Sequence, residues 1–151
     1  MATFPIPKPV SHVTKALIDA GFEAYLVGGC VRDLFLGTTP KDWDVATNAI
    51  PEQIIATFPK TFYENKFGTV SVVQEDVEDE SLKVVEVTPY RTEGEYTDKR
   101  RPDNVTFAET IQEDLSRRDF TINALAYSVE SDELFDPFDG RKDLISGHIR
   151  A

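Results

Sequence analysis

The sequence predicts an α+β fold, a sheet layered with helices. Strand-like and helix-like segments follow one another without regular alternation, which argues against a doubly wound sheet. Two β-branched runs, Thr69 to Val73 and Leu82 to Val87, flank an acidic stretch, Gln74 to Ser81, that reads as a solvated hairpin loop. Near the N-terminus Val13, Ala16, Leu17 and Ala20 recur at helical spacing.

Each element has its own signal. Ser11 to Ala20 is expected to be an amphipathic helix stopped by Gly21. Phe22 to Val27 reads as a strand, Gly28-Gly29 as a tight turn, and Cys30 to Leu36 as a short helix ended by Gly37. Trp43 to Ala46 is a second strand, and Pro51 to Phe58 a short helix with proline in its first turn. Pro89 to Asn104 is highly charged with few apolar anchors, so a mobile loop is expected there. Glu109 to Leu115 and, in part, Arg118 to Tyr127 read as helical. Asp136 to Gly140 is turn-rich, and Asp143 to Ser146 begins another short helix. No internal repeat or low-complexity tract is visible.

The bulk numbers narrow the function classes. At 151 residues the chain is one domain's worth, with an ordinary hydrophobic content of 40%. No apolar run approaches the roughly 20 residues of a membrane span. Met1 to Pro9 lacks a secretory pattern, so a cytoplasmic protein is expected. Cys30 is the single cysteine, which excludes an intrachain disulfide and a cysteine zinc site. His12 and His148 stand alone, unlike the clustered ligands of metal sites. A net charge of -11 is unfavourable for gripping nucleic acid, although Lys99-Arg100-Arg101, Arg117-Arg118 and Arg141-Lys142 gather basic residues.

Three clusters carry candidate chemistry. Asp42 and Asp44 flank Trp43. On a strand they share one face, with Trp43 turned to the core. Such a pair can hold divalent cations side by side, and Mg²⁺ needs only a few carboxylates because it keeps several waters. Taken alone, an Asp-X-Asp is common, and the same three residues also read as a solvated acid pair around an aromatic core residue. Glu86, within Val84-Val85-Glu86-Val87-Thr88, interrupts an apolar strand and is a third candidate, or a half-exposed strand position. Upstream, Gly28-Gly29 lets backbone N–H groups approach phosphates, and Arg32 adds a charged donor with Asp33 beside it to orient it; a plain turn is the alternative. Neither a P-loop nor a Rossmann glycine pattern occurs. In Arg117-Arg118-Asp119 the arginines offer planar forks for phosphate oxygens and Asp119 can accept from a ribose hydroxyl; an exposed charged helix end is the alternative. Together these residues suit nucleotidyl transfer.

In order and spacing, Gly28-Gly29-Cys30-Val31-Arg32-Asp33, Asp42-Trp43-Asp44-Val45-Ala46-Thr47 and Arg117 to Ala126 resemble the class II tRNA nucleotidyltransferase and bacterial poly(A) polymerase family, from about Gly21 to Arg150. The resemblance implies a polymerase-β-like nucleotidyltransferase head, a mixed, mainly antiparallel sheet backed by helices. It implies that Asp42 and Asp44 bind Mg²⁺, with Glu86 as third carboxylate. It further implies that Gly28, Gly29 and Arg32 hold the triphosphate, and that Arg117, Arg118 and Asp119 contact the incoming nucleotide. The partners implied are a tRNA 3′ end, CTP and ATP. Oligomeric state is not implied.

Within that family, Lys66-Phe67-Gly68-Thr69-Val70 and an intact segment from Tyr90 to Pro102 resemble the CCA-adding branch. The alternatives are poly(A) addition, a small-molecule acceptor, or a head that binds nucleotide but does not turn over alone. The family's neck carries a Glu-Asp-x-x-Arg motif that reads the base edges of ATP and CTP. Glu113-Asp114-Leu115-Ser116-Arg117 has those letters but belongs to the Arg-Arg-Asp segment. The sequence reaches Ala151 before the neck, so residues 1–151 are expected to form a single head without neck, body and tail, as a fragment, an excised domain or a truncated product.

Overall fold

The computed structural model of the chain describes residues 6–63, 68–74, 77–79, 82–92, 106–107, 110–116 and 124–147. The first helix, α1 (Lys8–Asp19), buries Val10, Val13, Thr14 and Leu17. It begins three residues before the expected Ser11, because Pro9 fits the first helical turn, where no N–H is needed. Gly21, at φ 98°, ends it. There Phe22 N–H bonds to Leu17 O and Gly21 N–H to Ile18 O, both at 3.0 Å, in a Schellman arrangement.

Then come β1 (Ala24–Val27), α2 (Gly29–Phe35), β2 (Asp44–Thr47), α3 (Pro51–Thr57) and the hairpin β3 (Thr61–Tyr63) with β4 (Val70–Val73). α2 stops in the same way as α1. Gly37 sits at φ 73°, and Thr38 N–H reaches Asp33 O at 2.9 Å. Gln53 steadies the start of α3 by accepting the Ile50 N–H at 2.9 Å. β5 (Val84–Pro89) follows, then β6 (Arg91–Thr92), β7 (Thr106–Phe107), α4 (Ile111–Ser116), β8 (Ala126–Ser128), β9 (Glu133–Phe135) and α5 (Gly140–Ser146).

Among the described residues, seven strands form one sheet in the order β3-β4-β5-β2-β1-β8-β9. β2 and β5 run parallel; the other neighbours are antiparallel, which is the mixed, mainly antiparallel sheet expected. Two stretches expected to be helix or loop are strands. Ala126 and Tyr127 lie in strand β8 and not in a helix: pairing with Val27 and Leu26 overrides the helix preference of Ala126. Arg91–Thr92, placed in a loop by sequence, pairs with Thr106–Phe107. The remainder of the expected mobile loop, residues 93–104, lies outside the described residues.

Among the described residues, the two faces of the sheet are covered unequally. On one, Leu26, Val45, Val70, Val72, Val85 and Val87 pack with Val13 and Leu17 of α1, Cys30 and Val31 of α2, and Ile54 of α3. On the other, Val27, Ala46 and Ala126 meet Tyr90 and, from α4, Ile111 and Leu115. Alternation along β2 and β5 places Asp44 and Glu86 on this second face, beyond the part that α4 covers. Among the described residues, no helix is long and apolar enough to cross a membrane.

Candidate active site

β2 starts at Asp44, so Asp42 lies in a bend just ahead of the strand and not within it. Pairing nevertheless extends back to Trp43, whose carbonyl accepts the Glu86 N–H at 3.1 Å. Trp43 is 2% exposed and sits in the helix-covered core. Asp42 is exposed and Asp44 half-buried, so exposure alternates through the triplet as a strand face requires.

Glu86 is the register partner of Asp44. Adjacent strands lie about 4.8 Å apart, and directly paired residues share a face. The two carboxylates therefore stand side by side on the less covered face. Val85 and Val87, pointing the other way, are fully buried and fix that register, since a one-residue slip would bury Glu86. On β4 the partner of Glu86 is Ser71, and on β3 the partner of Ser71 is Phe62.

The glycine turn is next to this pair. Leu26 is opposite Val45 in the antiparallel ladder, which brings Val27 level with Asp44 and Gly28 just past it. Cys30 ties the two chain segments together: its thiol donates to Val27 O at 3.2 Å and lies 4.0 Å from Asp44 O. Burial pushes that thiol from an ordinary 9.0 up to about 11, so it is a packing group at neutral pH. Gly28 adopts φ 74°, ψ -140°, a conformation near the region open essentially to glycine alone. α2 begins at Gly29, and a helix N-terminus leaves its first N–H groups without partners inside the helix.

Arg32 folds back over this turn. A Cβ on Gly29 would lie 3.3 Å from Arg32 Nη2. Asp33 holds the guanidinium, accepting on one oxygen from Nε at 3.4 Å and Nη2 at 3.3 Å. Arg117, Arg118 and Asp119 lie outside the described residues, as do Lys99-Arg100-Arg101.

The donor set suits a hard divalent cation. Carboxylate oxygens stand together on an accessible face, and Mg²⁺ is commonly held by one or two carboxylates with substrate phosphates and waters completing its shell. No cage of three His, Cys, Asp or Glu side chains is closed among the described residues. Asp42, Asp44 and Glu86 are thus not gathered into a three-ligand group. Sequence reasoning did not single out Cys30 as a link between turn and strand, nor Phe62, because each depends on cross-strand pairing that no local pattern reveals.

Residues 24–150 match the family described as the poly A polymerase head domain. The chain belongs to that family. It is 48% identical over 140 residues to the CCA-adding enzyme of Geobacillus thermodenitrificans, covering 92% of this chain and 33% of that enzyme. It is 49% identical over 140 residues to that of Lactobacillus johnsonii, with the same coverage. The chain thus spans about a third of the length of the curated relatives it matches. Among solved structures, the Bacillus stearothermophilus CCA-adding enzyme in complex with CTP superposes with a TM-score of 0.80 at 39% identity, over 97% of this chain and 34% of that one. The Thermotoga maritima CCA-adding enzyme complexed with tRNA gives 0.72 at 26% identity, over 100% and 37%. As a poly A polymerase head domain, the chain has its carboxylate pair and glycine turn on neighbouring strands of one sheet.

Proposed function

We propose that this chain is the catalytic head of a CCA-adding tRNA nucleotidyltransferase, working in the cytoplasm. The 3′-hydroxyl oxygen of tRNA attacks the α-phosphorus of CTP or ATP. A new phosphodiester forms, the bond to the β-phosphate bridge breaks, and pyrophosphate leaves. The observation that carries this reading is the pairing of Asp44 with Glu86 one strand away from the Gly28 turn.

Asp44, with Asp42 ahead of it and Glu86 beside it, would hold Mg²⁺. When bound, the metal supplies charge neutralisation for the leaving group and lowers the pKa of the attacking hydroxyl. The turn at Gly28 and Gly29 receives the triphosphate through backbone N–H groups, and Arg32, held by Asp33, adds a charge-assisted donor. Arg117 and Arg118 bind the nucleotide's phosphates, and Asp119 accepts from its ribose. Residues 1–151 act as one head unit.

The decisive assay gives the full-length protein a tRNA lacking its last three residues, with CTP alone, ATP alone, and both. CCA addition predicts two cytidines with CTP alone and a complete CCA end with both. A long adenosine tail with ATP alone would establish poly(A) addition instead. No incorporation under any condition would refute the reading.

A further inference from the structure

Phe62 is 61% exposed, although it is a large apolar side chain in a strand. It is the middle residue of the three-residue strand β3, at the edge of the sheet. Register decides which way it faces. Phe62 pairs with Ser71, Ser71 with Glu86, and Glu86 with Asp44. Directly paired residues share a face, so the aromatic ring stands on the same face as the carboxylates, two strands from Glu86 and, at about 4.8 Å per strand, roughly 10 Å from it. The next residue, Tyr63, is also exposed but pairs with the buried Val70, which turns it to the opposite side. Val84, 43% exposed and two residues from Glu86 on β5, adds apolar surface beside that acid on the same face. Lys60, two residues before Phe62, adds an exposed cation.

We infer that Phe62 is a stacking platform for an unpaired base in the 3′ tail of the tRNA acceptor. This rests on the functional reading above. The acceptor's 3′-hydroxyl must reach the carboxylates, so the bases preceding it must lie across the same face, within one or two nucleotides of the acids. An exposed ring continuous with the acidic row meets them there. Stacking requires only a π-face and tolerates any base, which suits a site that must accept a tail of changing length and sequence.

The test compares Phe62→Ala, Phe62→Leu and Phe62→Trp in the full-length protein, with KM for tRNA and KM for CTP measured separately. A second readout is the emission of 2-aminopurine placed in the unpaired 3′ tail. Phe62→Ala is expected to raise the tRNA KM about tenfold, the order of effect that loss of a base-stacking ring produces. The CTP KM and the kcat should be unchanged, and the quenching of 2-aminopurine on binding should be lost. Phe62→Trp should restore both, and Phe62→Leu, apolar but without a π-face, should not. If the alanine variant melts early, the Trp and Leu pair decides alone.

An unchanged tRNA KM, equal rescue by Leu and Trp, or a rise in the CTP KM instead would overturn the inference. So would loss of a dimer with tRNA affinity intact. Wild-type protein that adds nothing to tRNA would refute the functional reading and this inference together. Normal wild-type addition with indifferent Phe62 variants would refute only the inference.

Discussion

Asp44 and Glu86 face each other across the parallel ladder that joins β2 to β5. The hairpin of β3 and β4 lies between them in sequence, yet the strands they occupy are neighbours in the sheet. Burial of Val45 and Val87 on the reverse side holds both acids on the face that α1, α2 and α3 leave uncovered. Packing energy in the core thus sets the position of the two carboxylates.

The acids should therefore be dispensable for folding and indispensable for turnover. Asp44→Asn should lower the single-turnover rate of nucleotide addition by about a thousandfold, since lost metal activation is worth several kcal/mol and each 1.36 kcal/mol is tenfold in rate. Glu86→Gln should cost less, on the order of ten- to a hundredfold in rate, because in the proposed reading it stands beside the pair that would hold the metal. Melting temperatures of both variants should stay at or slightly above that of the wild type. A stable Asp44→Asn protein with near-normal rates would remove the acid from the mechanism.

Gly28 and Gly37 both have positive φ, but they should respond differently to alanine. Gly28→Ala forces a Cβ into a backbone conformation near one that only glycine adopts readily, at a cost of about 1–3 kcal/mol. It should also raise the KM for CTP, because the turn itself would shift. Gly37→Ala, at the end of α2 with nothing within 4 Å of a new Cβ, should lower stability and leave the KM unchanged. Urea denaturation together with initial rates separates the two.

Arg32 owes its aim to Asp33. Asp33→Asn should raise the KM for both nucleotides several-fold while kcat changes little, since the guanidinium is loosened but not lost. Arg32→Lys should not rescue function, because an ammonium lacks the planar fork. Equal kinetics for Arg32→Lys and wild type would show that a point charge suffices.

Alkaline pH should weaken the fold through two buried groups. Burial raises the Cys30 thiol to about 11. Burial first, and then the hydrogen bond and charge of Glu23, hold the Tyr90 hydroxyl above its ordinary 10.0. A group raised in the folded state keeps its proton there after the unfolded chain has lost it. Stability from these two groups is thus complete below about pH 9 and falls as pH climbs through 9 to 11. Tyr90→Phe removes the 2.9 Å bond from the hydroxyl to Glu23 Oε1 and should make the alkaline decline shallower in urea titrations at pH 8 to 11. At pH 8 native Cys30 should resist iodoacetamide and react only on unfolding.

Much of this was legible in the sequence, for identifiable reasons. Gly21 and Gly37 marked helix ends correctly because a left-handed backbone position is a local requirement. Trp43 was legible as a core residue between two acids because strand alternation is local too. Asp42 was not legible as a bend residue, since the ladder stops at a point set by its partner β5. β3 and β9, three residues each, are too short for alternation to register. Ala126 and Tyr127 looked helical because their strand character comes from Val27 and Leu26, a hundred residues earlier. The row from Phe62 to Asp44 is a product of register alone, and no segment of sequence contains it.

Titration of the full-length protein with Mn²⁺, followed by electron paramagnetic resonance in the presence of a non-hydrolysable CTP analogue, tests the metal site most directly. Asp44→Asn is predicted to weaken Mn²⁺ binding by tenfold or more relative to wild type. Wild-type affinity and stoichiometry in that variant would contradict the account, because the nucleotide alone would then be holding the ion.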